Sequence, residues 1–175
     1  AFGKQREPIL RMAAWARAFD ADSISGAWKV GNTSNPATRL GQSPLRSPSV
    51  FNFFRPGYVP PNSAIGSAGL VAPEFQATNE SSVVGYVNFM QRVASRGFGD
   101  VRADYSGLLP LADDAHALLA DLNLVLAAGQ LLAPTVALLQ GAIDSMPAGS
   151  AAARQKRVHA ALTLVLAAPE FIIQK

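Results

Sequence analysis

The chain has 175 residues, of which 49% are hydrophobic and 15% charged, and a net charge of +3. That is long and apolar enough for a core burying roughly 70% of the unfolded surface, and too poor in charge for a disordered chain. The absence of cysteine excludes disulfides, thiolate metal sites and a cysteine nucleophile, and the small, scattered basic excess argues against nucleic acid as a partner.

A first helix is expected over 8–19. Pro8 suits the first turn, where its missing N–H costs nothing, and Ile9, Met12, Ala13, Ala16 and Phe19 recur at helical spacing. From 23 to 69 the composition turns to Gly, Pro, Ser and Asn. Two short helical turns are expected there, at 36–40 and 48–53, each with Pro in its first turn and Asn35 or Ser47 as the cap. A loop this long inside a compact domain is usually functional or packed by its own side chains.

The second long helix is expected over 79–96, with a core stripe of Val83, Tyr86, Val87, Met90, Val93 and Ala94. Thr78 or Asn79 caps its start, Arg92 and Arg96 suit its negative end, and Gly97 ends it. After a connector at 98–110, a third helix over 112–128 carries Ala115, Leu118, Leu119, Leu122, Val125 and Leu126 on one stripe. A fourth is expected over 134–145, closed by Pro147 and Gly149, and a fifth over 150–167, apolar nearly all round after His159. No run alternates as a strand does; a small hairpin within the loop region is left open. The apolar tract 118–143 is broken by Asp121, Asn123, Gly129, Gln130 and Pro134, whereas a membrane-spanning helix needs about 20 nearly uninterrupted apolar residues.

Ala72-Pro73-Glu74-Phe75 recurs as Ala168-Pro169-Glu170-Phe171. The simpler reading is a helix-start device: Pro in the first turn, Glu complementing a positive helix end, Phe anchoring the turn in the core. The sharper one is a repeated docking element.

The run from Arg39-Leu40-Gly41-Gln42-Ser43-Pro44 through Ser47-Pro48-Ser49-Val50-Phe51-Asn52-Phe53-Phe54-Arg55-Pro56-Gly57-Tyr58-Val59-Pro60-Pro61 is distinctive. With Gly69-Leu70-Val71-Ala72-Pro73-Glu74-Phe75-Gln76 and the closing Ala168-Pro169-Glu170-Phe171, it resembles the C-terminal region of the bacterial domain of unknown function 1800 family. The resemblance covers the chain from about Pro8 to its end. It implies a largely helical protein of which this chain is the last part, and it implies export to the periplasm or cell surface. It carries over no activity, catalytic residue or cofactor.

His116 and His159 lie far apart; Asp113 precedes His116 by one helical turn, a spacing more typical of a solvated pair than of a metal site. Gly66-Ser67-Ala68-Gly69 does not form a nucleophile elbow, and no phosphate loop or dinucleotide fingerprint is present. Glu74 and Glu170 enter as paired carboxylates only through the echo. The loop is the better candidate. Asn32, Arg39, Gln42, Arg46 and Arg55 stand beside Phe51, Phe53 and Tyr58, a mixture suited to a sugar-like or peptide-like ligand. The competing reading has Phe51, Phe53 and Phe54 plugging the core while the polar groups satisfy the loop backbone.

The expectation is therefore a mainly α protein, an irregular bundle of about five longer helices with a long Pro/Gly/Asn-rich loop region. Residues 1–175 are read as a single helical domain, the C-terminal part of a larger exported protein. It would act as a non-catalytic binding or structural module with no cofactor. Its expected partner is the upstream part of the same protein, with another exported protein or a polymer as alternatives. The rival is one half of an enzyme active site completed upstream. Its mark would be a pocket of perturbed ionisable groups lined by Arg39, Arg46, Arg55 or Glu74.

Overall fold

The computed structural model describes residues 3–174. Five longer helices carry the fold: α1 (Pro8–Ala18), α3 (Glu80–Arg96), α4 (Ala115–Ala127), α5 (Ala133–Asp144) and α6 (Ala151–Ala167). Two single-turn helices, α2 (Ala64–Ser67) and α7 (Pro169–Ile172), and 3-10 turns at Pro73–Ala77 and Leu109–Leu111 complete the helical part. The chain is mainly α, as its periodicities predict.

Local chemistry sets the helix boundaries. Asn79 and Ser82 form a reciprocal capping box at the start of α3, each side chain accepting from the other's backbone N–H. Gly97 ends that helix at φ 73°, in the left-handed region glycine tolerates. Asp114 and Ser150 cap α4 and α6 by accepting from Ala117 N and Ala153 N. Because Asp114 is the cap, α4 begins at Ala115 rather than at 112.

Helix α6 lies at the centre, packed on α3, α4, α5 and α7. Its Val158, Ala161, Leu162, Val165 and Leu166 are sealed from solvent. Facing them are Leu118, Leu119 and Leu122 of α4, Met90 and Val93 of α3, Ile143 of α5 and Phe171 of α7. Two stripe assignments need correction. Val83 and Val125 point to solvent; Gly85 and Phe89 take the inner face of α3 instead.

Four two-residue strands also occur. β1 (Lys4–Gln5) pairs antiparallel with β4 (Ile173–Gln174), and β2 (Asp22–Ser23) with β3 (Val101–Arg102). They are too short to show alternation, so no periodicity announces them. Each joins segments distant along the chain.

The echo behaves as a helix-start device. Pro73 and Pro169 each open a short helical turn. Phe171 is fully buried, whereas Phe75 is only half-buried. Glu74 pairs with Lys4 at 3.0 Å. Glu170 reaches to the start of α5, accepting from Thr135 Oγ1 at 2.6 Å and Leu132 N at 3.3 Å. There it complements the positive end of a neighbouring helix rather than its own.

Candidate functional site

Residues 24–63 contain no regular helix. The turn expected at 36–40 forms, with Arg39 N donating to Asn35 O at 2.9 Å, and a tighter turn at 49–52 is closed by Asn52 N donating to Ser49 O at 3.2 Å, where an isolated bridge also joins the two residues. The segment is nonetheless built on buried polar anchors. Thr33, Gln42 and Ser43 are buried, and Leu40 enters the core. Thr33 Oγ1 donates to Gln42 O at 2.6 Å, and Leu40 N to Thr33 O at 3.1 Å, closing a small ring of chain. Asn35 accepts from Ala37 N at 2.9 Å, the local turn expected of it.

Gln42 then docks this ring on α1. Its Oε1 accepts from Ile9 N at 3.1 Å, and its Nε2 donates to the Glu7 carboxylate. Ile9 N is one of the unpaired donors at the start of α1, and Glu7 provides no side-chain cap of its own. A loop residue thus caps α1 from a distance. Asn52, held at φ 64°, donates to Glu7 Oε2 at 3.2 Å, so one carboxylate gathers both halves of the loop.

Further ties run to α3 and to the turn at Pro73–Ala77. Arg92 Nη2 donates to Thr38 O at 2.8 Å. A Cβ on Gly85 would strike the Pro36 carbonyl oxygen, so the loop backbone lies directly against this helix. Arg55 N donates to Gln76 Oε1 at 2.7 Å, and Ala72 N to Tyr58 O at 2.8 Å. At the loop's beginning Asp100 accepts from Ser23 Oγ at 2.7 Å, Lys29 N at 2.6 Å and the Ser25 hydroxyl. The Ser25 and Ser23 hydroxyls, with the Lys29 N–H, hold the Asp100 carboxyl well below the usual carboxylate range.

The named loop residues therefore do not converge on one pocket. Gln42 is an internal anchor. Asn32 accepts from Ser34 N and its hydroxyl at 2.9 and 2.7 Å, and its carbonyl takes Arg39 Nη1 at 3.0 Å. The Arg39 guanidinium lies 5.4 Å above the Phe98 ring. Arg46 and Arg55 are exposed, and Tyr58 is half-buried. The expectation that Phe51, Phe53 and Phe54 plug the core fails: Phe51 is exposed, the other two are half-buried, and none joins the core cluster. Buried polar anchors, rather than aromatic plugs, hold this loop. Beside Arg46 the loop presents three apolar side chains outward: Leu45 is fully exposed at φ 58°, Val50 is 94% exposed and Phe51 54%.

Elsewhere, a groove of 740 Å³ runs between α3, α5 and α6 with Arg92, Arg96 and Lys156 around it and His159 in its wall. Burial lowers the His159 pKa, and the Tyr105 ring stands edge-on to it at 5.9 Å. Asp113 does not pair with His116; it accepts from Arg154 Nε at 2.7 Å and Gly149 N at 2.9 Å. A smaller pocket lies beside α1 and contains Arg11. Sequence reasoning missed both, because each is assembled from helices far apart in the chain.

Fold and surface together define a mainly helical protein with a long, internally braced loop. Among the described residues no helix is long and apolar enough to cross a membrane. A family profile described as "Protein of unknown function (DUF1800)" matches residues 1–173, and the chain belongs to that family. No curated protein and no solved structure matches it.

Proposed function

We propose that this chain is a non-catalytic helical module of a larger, exported bacterial protein, and that it binds the upstream part of that protein through the outer rim of its loop. The observation that carries the reading is the contrast within the loop. Buried Thr33, Gln42 and Ser43 fix its base, while Leu45, Val50 and Phe51 stand in solvent at its rim. Isolated exposed apolar residues are ordinary, but several on one braced loop favour a recognition surface. The export component rests on the family resemblance alone. The rival reading, half of an enzyme site, draws less support: Arg39 borders a groove beside Arg92 and Arg96, whereas Arg46 and Arg55 are exposed and Glu74 is paired with Lys4.

The test is a titration of residues 1–175 with the separately expressed upstream polypeptide of the same gene. The double variant Leu45→Asp, Val50→Asp should bind at least tenfold more weakly and melt within about 2 °C of the parent, since exposed substitutions usually change stability by less than about 0.5 kcal/mol. Unchanged affinity would exclude the rim as the binding surface.

A further inference from the structure

The two buried arginines differ in how their charge is met. The Arg157 guanidinium donates to Ala112 O at 2.6 Å, Ile143 O at 2.8 Å and Met146 O at 2.9 Å, and lies 3.5 Å from Asp144 Oδ1. Arg11 is 4% exposed, yet its Nε donates to Arg6 O at 2.7 Å while its Nη2 is buried without a hydrogen-bond partner. Among the described residues no carboxylate forms an ion pair with it. Glu7, one turn earlier on the chain, is occupied by Gln42 and Asn52. The remaining support is Tyr86, whose ring lies 4.7 Å below the guanidinium and whose hydroxyl is near enough to favour its charge. A buried cation left in this state is costly unless something pairs with it.

Arg11 lines a pocket of 270 Å³ enclosed by α1, α3, the turn at Pro73–Ala77 and α7. Its walls are mostly apolar, with Leu40, Phe75, Val87 and Ile172 among them. The polar groups there are already engaged: Gln5 and Thr78 bond each other through both ends of the amide, at 2.8 and 3.1 Å, and Ser82 belongs to the capping box. The unmet demand at the pocket wall is thus a single positive charge set among mostly apolar neighbours.

We propose that this pocket binds a small monocarboxylic acid with an apolar body, its carboxylate paired with Arg11 and its carbon frame against Leu40, Phe75 and Val87. A planar carboxylate matches the edge of a guanidinium and forms a charge-assisted hydrogen bond with it. One negative charge neutralises one positive charge; a phosphate dianion would leave a net charge stranded among apolar walls. Water would satisfy the N–H but not the charge. The volume lies just below the usual range of roughly 300–1,000 Å³ for ligand pockets, which limits the acid to a small one. Burial also pulls the Arg11 pKa below its ordinary value, as expected of a cation with no anion beside it. The site is independent of the loop rim, and either reading can fail without the other.

Calorimetric titration of the purified chain with sodium benzoate and sodium hexanoate, and with benzamide as the uncharged counterpart, tests this. Saturable one-to-one binding of an acid, at least tenfold tighter than the amide, is expected. Arg11→Met should abolish it. Because that variant removes a helix-anchoring side chain, Ala77→Leu is the second arm: it fills the pocket, keeps Arg11 and should also abolish binding. Neither acid binding, equal binding of benzoate and benzamide, or retained binding in Ala77→Leu would each overturn the proposal.

Discussion

Replacing Arg157 with methionine removes a side chain that is 2% exposed and ties three segments together. Its guanidinium holds Ala112 O, just before α4, and Ile143 O and Met146 O at the end of α5. The last carbonyls of a helix lack partners within it, so this arginine acts as a C-terminal cap for α5 from within α6. Methionine matches the stem in length and preserves its packing, but it orphans buried acceptors at about 1–3 kcal/mol each. Ile143 O keeps a backbone donor, Met146 N at 3.0 Å, so Ala112 O and Met146 O carry most of the cost. Releasing the guanidinium from burial offsets part of it, and the net loss should be about 2–4 kcal/mol, since no buried charge is left behind. For a chain of this size that lowers the melting temperature by roughly 10 °C. Urea denaturation followed by circular dichroism reads the change directly. Arg157→Lys keeps the charge but not the planar fork, and should fall between the two. A methionine variant within 1 kcal/mol of the parent would refute the assignment of Arg157 as the tie between α4, α5 and α6.

Three further outcomes follow from the same contacts. Gly85→Ala should destabilise by about 1–3 kcal/mol in a urea melt, although alanine normally favours a helix, because the new methyl would strike the Pro36 carbonyl; a stabilised variant would mean that the loop does not rest on α3. Phe171→Ala should cost about 3–5 kcal/mol and Phe53→Ala clearly less, since only Phe171 is in the core; comparable losses in parallel melts would contradict the burial difference. Burial depresses the His159 pKa in the folded state, so its contribution to stability is complete above the unfolded value of about 6.5 and is lost as pH falls below it. Melting curves from pH 7.5 to 5 should therefore fall less steeply for His159→Gln than for the parent, and parallel profiles would show that His159 is not the group responsible.

Much of the helical frame was legible because its signals are local. Asn79 caps where a short polar residue precedes an apolar period, and Pro8, Pro73 and Pro169 open helical turns, whereas Asp114 and Ser150 lie within the stretches expected to be helical and prove to be their caps. What escaped was set by distant contacts. Arg154, Lys156 and Arg157 look alike in the sequence but have three fates: a surface pair with Asp113, the edge of a groove, and a buried helix cap. Gln42 looked like a ligand contact, yet it caps α1 across 33 residues of sequence. The aromatic run 51–54 suggested a core plug because hydrophobicity alone does not reveal that buried hydrogen bonds already anchor the loop. Arg11 lay within a plainly helical stretch, and only the packing of α3 and α7 against it exposes its unmet charge.

We propose that the loop rim faces another part of the same protein. Amide hydrogen exchange, compared between residues 1–175 alone and the longer gene product, tests it most directly. The account predicts slower exchange over residues 44–52 in the longer protein, while the anchored amides of Ile9 and Leu40 exchange equally slowly in both. Identical exchange over residues 44–52 in the two proteins would contradict it.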